Sequence, residues 1–169
     1  MKIILLGYMA SGKSAVGSIL ASKLKIQFID LDDYIAEKEQ LSIAAIFEKK
    51  GEIYFRKIEG EYLLELLNLK KDCVISVGGG TPCYGTNMKL IETNSISFYL
   101  KASIQTIFDR LQRNKLQRPL VASIDKENLK EYIAKHLFER VAFYEKAKHT
   151  VLVDKKNIFE IVNEIKQLL

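Results

Sequence analysis

The 169-residue sequence is poor in the residues that define small secreted domains and zinc proteins. It contains two cysteines, two histidines, two prolines and no tryptophan. Cys73 and Cys83 cannot build a disulfide framework, and their spacing from His136 and His149 matches no zinc pattern. These scarcities exclude a disulfide scaffold and a structural zinc domain. They fit a reducing compartment, and we expect the protein to be cytoplasmic.

Long hydrophobic runs and blocks of basic charge are also missing. The first apolar stretch, Ile3–Leu6, is too short for a signal peptide, and no later run approaches the roughly 18 apolar residues of a membrane span. The formal net charge is +5, but the lysines are dispersed along the chain in ones and twos. We therefore expect neither a membrane nor nucleic acid as a partner.

The sequence contains enough apolar residues to form a core, since 48% of its residues are hydrophobic and 28% are charged. The length predicts a single domain spanning residues 1–169, and the lack of a long exposed apolar stripe predicts a monomer. Short apolar runs alternate with helix-length segments, which is typical of an α/β fold with a parallel sheet covered on both faces. The predicted strands are Lys2–Leu6, Gln27–Leu31, Cys73–Val77, Ile96–Leu100 and Thr150–Val153.

A predicted helix from Glu127 to Lys146 precedes the last strand. Its apolar positions recur every three or four residues and predict a core-facing stripe, formed by Leu129, Ile133, Leu137, Val141 and Tyr144. The segment before it, about 112–125, lacks such periodicity and is long for a connection. It indicates either a mobile lid or a plain surface loop.

A phosphate-binding loop follows the first strand. Residues Gly7 to Ser14 satisfy G-x-x-x-x-G-K-S and precede a helical pattern over Ala15–Leu24. In such a loop, backbone N–H groups at a helix N-terminus surround phosphate oxygens, Lys13 adds a positive charge, and the Ser14 hydroxyl binds Mg²⁺. The sequence therefore predicts nucleotide binding.

Two carboxylates end the second predicted strand. If the strand persists, Asp30 and Asp32 point to the same side of the sheet at its carboxyl end, where open α/β sheets bind ligands. One acid can then hold Mg²⁺ and the other can accept the proton of an attacking hydroxyl. The alternative is that Asp32 and Asp33 cap a helix beginning at Tyr34.

Arginine and glycine are used sparingly, so their positions carry information. Only five of the 26 basic residues are arginines: Arg56, Arg110, Arg113, Arg118 and Arg140. The guanidinium fork suits a carboxylate or phosphate ligand, although for Arg110 and Arg113 an ordinary ion pair is at least as good an interpretation. Three of the nine glycines form the run Gly78–Gly80 after a predicted strand, which lets a ligand approach the backbone closely.

Taken together, these features resemble the shikimate kinase family along nearly the whole chain. The resemblance rests on the phosphate loop, Phe28–Asp32, Ser42-Ile43 with Ile46-Phe47, Gly51-Glu52 with Phe55-Arg56 and Glu59, Gly78–Gly80, and Arg118-Pro119-Leu120. It implies a P-loop fold like that of nucleoside-monophosphate kinases, with three layers, a five-stranded parallel sheet and a mobile lid. It also implies transfer of the ATP γ-phosphoryl group to the 3-hydroxyl of shikimate, a step of chorismate and aromatic amino-acid biosynthesis.

The same resemblance implies a role for each matching residue. Asp32 orients or deprotonates the shikimate hydroxyl, Lys13 and Arg118 act on the transferred phosphoryl group, and Ser14 binds Mg²⁺ with Asp30 acting through water. The shikimate carboxylate is bound by Arg56 and Arg140, and Gly79 contacts shikimate through its backbone. The implied ATP contacts are Ala10, Ser11, Gly12, Lys13, Ser14, Ala15 and Arg118.

The sequence departs from the family pattern at Ala10, where glycine is usual, and at Ala15, where a hydroxyl residue is usual. A left-handed Ala10 would cost roughly 1 kcal/mol. Two alternatives stay open: another small-molecule kinase of this fold, such as a gluconate or nucleoside-monophosphate kinase, and a nucleotide-binding regulatory module without turnover. Which of Arg110 and Arg113 joins the lid, and which residue within 154–157 contacts adenine, also stay open.

Overall fold

The computed structural model describes residues 1–113 and 124–169 of the chain. Within these ranges, a single parallel sheet of five strands has the order β2-β3-β1-β4-β5. The strands are β1 (Lys2–Leu6), β2 (Gln27–Asp30), β3 (Cys73–Ser76), β4 (Ile96–Lys101) and β5 (His149–Leu152). All five predicted strands and their parallel arrangement are confirmed, with boundaries that differ by one residue at most.

Seven helices surround the sheet within the described ranges. They are α1 (Lys13–Leu24), α2 (Leu31–Glu39), α3 (Ile43–Leu67), α4 (Asn87–Asn94), α5 (Ile104–Arg113), α6 (Lys126–Tyr144) and α7 (Ile158–Leu168), with a short 3₁₀ turn at Thr81–Cys83. Helix α1 packs against α7, whereas α3 packs against α4 and α5 against α6. None of these described helices combines the length and the apolar character needed to cross a membrane.

The central strands are buried on both faces, as their nearly uninterrupted apolar sequences require. Every residue of β1 and of β3 is buried, and their apolar side chains join one continuous core. This buried sheet is a rigid support for the loops that leave its carboxyl edge.

Two loops at that edge leave in opposite directions. The chain runs from β1 through α1 to β2, on one side of β1, and from β3 through α4 to β4, on the other. Right-handed crossovers then place α1 and α4 on opposite faces, which opens a crevice between the ends of β1 and β3. Because Ser76 is paired with both Leu5 and Asp30, the ends of β1, β2 and β3 meet at this crevice.

The long helix before β5 confirms the predicted stripe in most positions. Leu129, Ile133 and Tyr144 are fully buried, and Leu137 is partly buried against the core. The helix ends at Tyr144 rather than at Lys146.

The segment predicted as a lid is only partly described. Its first two residues, Gln112 and Arg113, are helical and belong to α5. The lid itself stays a prediction. Residues 114–123, which contain Arg118, Pro119 and Leu120, lie outside the described residues.

A kink divides α3 at Gly51, where φ is 81° and ψ is 171°. This backbone conformation is essentially restricted to glycine, because a side chain would clash with the neighbouring peptide groups. The kink lets the second half of α3 turn toward the crevice with Arg56 and Glu59. A Cβ atom at Gly51 would have no heavy atom within 4 Å, so the requirement comes from the backbone alone.

We expect Gly51→Ala to lower the free energy of unfolding by about 1–3 kcal/mol through backbone strain. Gly85→Ala is the matched control, since a Cβ there also meets open space and its φ is +53°. That left-handed position should cost only about 1 kcal/mol. Urea unfolding of both variants measures the difference, and unchanged stability of Gly51→Ala would contradict this account of the kink.

Candidate active site

The phosphate loop turns directly from β1 into α1. Gly12 is the N-cap of α1 with φ at 101°, and the first turn of the helix contains no acidic residue. Gly7 has φ at 143°, and a Cβ there would lie 2.7 Å from the Leu100 carbonyl oxygen. The loop therefore requires glycine at both positions. Its backbone N–H groups and the positive end of the helix dipole form an anion site.

Two basic side chains lie against this loop. Lys13 Nζ donates hydrogen bonds to the carbonyl oxygens of Gly7 at 2.8 Å and Tyr8 at 3.0 Å. Arg110 Nη1 donates to the carbonyl oxygens of Ala10 and Ser11, both at 3.0 Å. Of the two arginines that the sequence left as alternatives, Arg110 is thus the one that contacts the loop.

The two predicted carboxylates reach the site differently from the way their spacing indicated. Strand β2 stops at Asp30, and α2 already begins at Leu31, so Asp32 lies in the first turn of a helix. Asp30, not Asp32 or Asp33, is the N-cap, and its Oδ1 accepts the backbone N–H of Asp32 at 3.1 Å. The alternative of a helix starting at Tyr34 was therefore wrong in its start and its cap.

Asp30 also connects the acids to the phosphate loop. Its Oδ2 accepts a hydrogen bond from the Ser14 hydroxyl at 2.7 Å. A hydroxyl and a carboxylate in contact, beside a phosphate site, are the hard oxygen donors that Mg²⁺ prefers. The residues present therefore fit a magnesium ion.

Asp32 has an environment that makes it a usable base. Burial raises its pKa to about 6, and the negative charges of Asp30 and Glu59 act in the same direction, while Lys13 opposes them. The pKa of a catalytic base should lie near the working pH, so that the group is ionised and still accepts a proton.

Arg56 is held firmly on the opposite side of the crevice. Its Nη1 donates to Glu59 Oε2 at 2.9 Å, and its guanidinium lies 4.0 Å from the centre of the Tyr84 ring. Glu59 is 1% exposed, and its other oxygen accepts the Thr81 hydroxyl at 2.6 Å. The buried Glu59 carboxylate holds the Arg56 guanidinium in place and partly offsets its positive charge.

The glycine run lies between Arg56 and the phosphate loop. A Cβ at Gly80 would lie 3.1 Å from Arg56 Nη2, and one at Gly79 would lie 3.4 Å from the backbone nitrogen of Met9. Any larger residue would press on one of these neighbours. The run therefore keeps the floor of the crevice open, as its position after a strand predicted.

Arg140 approaches from α6. Its guanidinium lies 5.8 Å from the centre of the buried Tyr8 ring. Within residues 1–113 and 124–169 it forms no ion pair with a carboxylate, in contrast to Arg56. Its charge is therefore available to an anionic ligand.

These groups line one cavity of about 730 Å³. The cavity contains every site residue predicted from the sequence except Arg118, which lies outside the described residues. Its predicted members are Ala10, Ser11, Gly12, Lys13, Ser14, Ala15, Asp30, Asp32, Arg56, Gly79 and Arg140. The cavity thus combines an anion-binding loop with three carboxylates, of Asp30, Asp32 and Glu59, and three guanidinium groups, of Arg56, Arg110 and Arg140.

Sequence reasoning missed two contributors to this site. Glu59 entered only as part of a motif, with no role, and nothing in its sequence context shows that it is buried. Tyr144 was assigned to the core alone, but its hydroxyl donates to the carbonyl oxygen of Gly79 at 2.5 Å. A phenol in place of phenylalanine within an apolar stripe was the available signal, since a buried hydroxyl needs a partner.

Comparison with known proteins identifies the family. The family model described as Shikimate kinase matches residues 9–169. The chain belongs to the shikimate kinase family. The shikimate kinase of Flavobacterium johnsoniae is 50% identical over 99% of this chain and 98% of the relative. That of Flavobacterium psychrophilum is 44% identical, with the same shares covered.

Solved structures agree with this assignment. Shikimate kinase from Bacteroides thetaiotaomicron superposes with a TM-score of 0.92 at 32% identity, covering 99% of this chain and 97% of the other. Shikimate kinase from Acinetobacter baumannii in complex with shikimate has a TM-score of 0.88 at 33% identity, covering 99% and 91%. The predicted P-loop α/β fold is confirmed.

Membership of the shikimate kinase family also gives the activity. The chain is a kinase that phosphorylates shikimate in aromatic biosynthesis, with shikimate and ATP as its substrates. Kinases in general need a divalent metal for this chemistry.

The departure of Ala10 from the family pattern has a structural consequence, because its φ is 60°. Alanine is strained in this left-handed region by roughly 1 kcal/mol or more. We expect Ala10→Gly to raise the free energy of unfolding by about 0.5–1 kcal/mol, since part of the relief is offset by the freer unfolded chain.

Ala36→Gly in α2 is the matched control, because the same substitution inside a helix should lower stability by about 1 kcal/mol. Urea unfolding without nucleotide compares the two variants. A loss of stability in Ala10→Gly would show that position 10 carries no strain.

Proposed function

We propose that this chain transfers the γ-phosphoryl group of ATP to the 3-hydroxyl of shikimate, and that the residues lining the cavity carry out the transfer. The observation that supports the proposal is the shared cavity, which is lined by the phosphate loop and by Asp32, Arg56 and Arg140. A polyhydroxylated acid needs both kinds of group, a base for its hydroxyl and cations for its carboxylate.

The nucleotide binds at the start of α1. Backbone N–H groups of residues 10–15 surround the phosphates, and Lys13 exchanges its carbonyl partners for phosphate oxygens. Ser14 holds Mg²⁺ directly and Asp30 holds it through water, as the contact between their oxygens supports. When bound, Mg²⁺ neutralises charge on the phosphate oxygens.

Asp32 acts on the acceptor. Its carboxylate orients the 3-hydroxyl of shikimate and takes its proton as the oxygen attacks the γ-phosphorus. The bond from the γ-phosphorus to its bridging oxygen breaks, and ADP leaves with the electron pair. Most of the acceleration comes from holding the two reactants in line, because the protein adds little covalent chemistry.

Arg56 and Arg140 bind the carboxylate of shikimate from two sides, and Gly79 contacts shikimate through its backbone. Glu59 supports this role for Arg56 because it fixes the guanidinium without any contribution from substrate. Arg118 reaches the ATP phosphates from a lid, a role supported by the family pattern alone.

Several predictions concern the whole molecule and stay predictions. We propose a single domain, supported by one continuous apolar core, and a monomer that binds neither membranes nor nucleic acid. We also propose a cytoplasmic location, supported by the free thiols of Cys73 and Cys83.

The decisive experiment is a coupled ADP-release assay with Mg·ATP and shikimate, run beside gluconate, AMP and no acceptor. We expect turnover that depends on shikimate, and a loss of about a hundredfold or more in kcat for Asp32→Asn, the range for removal of a general base. Asp33→Asn is the control, since Asp33 is the next residue of α2 and is exposed.

If ADP is released only with an acceptor other than shikimate, the roles of Arg56 and Arg140 are overturned. Nucleotide binding without turnover would support a regulatory module.

The pH dependence follows from the raised pKa of Asp32, about 6 in the free enzyme. Because the ionised form is the base, kcat/KM for shikimate should be high above pH 6 and fall about tenfold per pH unit well below it. A buffered rate series from pH 4.5 to 8.5 measures the profile. A profile flat down to about pH 4.5 would contradict the assignment of Asp32 as the base.

A further inference from the structure

Tyr144 combines a buried ring with a polar contact in the active site. The residue is 0% exposed at the end of α6, and its ring lies 5.1 Å from the Tyr99 ring. Its hydroxyl donates a hydrogen bond of 2.5 Å to the carbonyl oxygen of Gly79, across 65 residues of sequence. A phenylalanine would fill the same apolar space, so packing alone does not explain the hydroxyl.

This hydrogen bond fixes the orientation of one peptide group in the glycine run. The Gly79 carbonyl and the Gly80 N–H belong to the same trans peptide, so they point in opposite directions. With the carbonyl directed at Tyr144, the Gly80 N–H is directed away from it. Within the described ranges, neither Gly79 nor Gly80 donates its N–H to another residue. These donors are available to a ligand.

A glycine run does not hold such an orientation unaided. Glycine has the widest backbone freedom of any residue, so a peptide between Gly79 and Gly80 can rotate at little steric cost. A hydrogen bond from a rigid helix removes that freedom before the substrate arrives, and preorganisation of this kind strengthens binding.

Tyr144 also lies beside the second arginine. Arg140 precedes it by four residues, one turn earlier on the same face of α6. Burial raises the pKa of Tyr144 well above its usual range, and the positive charge of Arg140 opposes the rise. The hydroxyl therefore stays protonated at neutral pH and remains a donor to Gly79.

We propose that Tyr144 is a positioning residue for shikimate, whose hydroxyl holds the Gly79–Gly80 peptide in its binding orientation. The proposal rests on the proposed function, in which Gly79 and Arg140 contact shikimate. It assigns Tyr144 no contact with ATP, since the phosphate loop is held by Lys13 and Arg110 instead.

The test compares Tyr144→Phe with wild type in steady-state kinetics with both substrates. Loss of one ordinary hydrogen bond should raise the KM for shikimate by about threefold to tenfold. The KM for ATP and kcat should stay within about twofold of wild type. A residue with a merely structural role would not separate the two KM values in this way.

Tyr99→Phe is the matched control. It removes the same hydroxyl from the ring that packs on Tyr144, and in the described part of the chain Tyr99 has no hydrogen bond to the glycine run. We expect it to leave both KM values unchanged. An unchanged KM for shikimate in folded Tyr144→Phe, or an equal rise for both substrates, would overturn the proposal.

A binding measurement keeps the proposal falsifiable if Tyr144→Phe is too unstable for kinetics. Glycine-selective ¹⁵N labelling of wild type gives signals from nine glycines. Shikimate should shift the Gly79 and Gly80 amide signals, and Tyr99→Phe should reproduce this. Tyr144→His supplies a second variant, in which a raised KM for shikimate alone is again expected. If the amide signals of Gly79 and Gly80 do not shift when shikimate is added, the proposal is overturned. Wild type that turns over no shikimate at all would instead overturn the proposed function.

Discussion

The parallel pairing of β1 with β3 is the constraint on which the active site depends. The two strands run side by side in the centre of the sheet, and the chain leaves them toward opposite faces. The loop after β1 supplies backbone N–H groups at the start of α1, whereas the loop after β3 supplies three glycines. Because both loops leave from neighbouring buried strands, the distance between the phosphate loop and the glycine run is set by backbone hydrogen bonds. Side-chain packing only has to refine it.

The charged side chains in the crevice differ in the partners that the protein itself provides for them. Glu59 is buried and accepts hydrogen bonds from Arg56 and Thr81, so it fixes the position of the Arg56 guanidinium at the crevice. Asp32 is partly buried and lies near Asp30 and Glu59, and both the burial and the two negative charges raise its pKa. Arg140 has no carboxylate partner within the described residues, so its charge is open to an anionic ligand. A hydroxylated carboxylic acid fits this distribution better than a nucleotide acceptor would, since a nucleotide needs a pocket for its base.

Helix α6 contributes residues to both the core and the site. Its apolar stripe fixes the helix against the sheet, with Leu129 and Ile133 fully buried. Because the helix is anchored in this way, Arg140 and the Tyr144 hydroxyl are presented to the crevice from a rigid support. Sites built on such elements hold their geometry more closely than sites built on loops. The phosphate loop gains a comparable support from Arg110 on α5, which bonds two of its carbonyl oxygens.

The sequence by itself determined the local features of this protein. Alternating apolar runs gave the five strands, and G-x-x-x-x-G-K-S gave the phosphate loop, because both depend on residues close together in the chain. It also singled out Asp32, Arg56, Gly79 and Arg140, whose residue types match the chemistry of an anionic, hydroxylated substrate.

Only the tertiary structure decided how distant residues combine. The cap by Asp30, the burial of Glu59, the contact of Arg110 with the loop and the bond from Tyr144 to Gly79 were not evident from local patterns. Asp32 was expected to lie in a strand, but β2 ends at Asp30 and α2 begins at Leu31, so Asp32 lies in the first turn of a helix. Local periodicity does not indicate where a strand ends. Burial and long-range hydrogen bonds exist only once the strands and helices have packed, so no local pattern of residues encodes them.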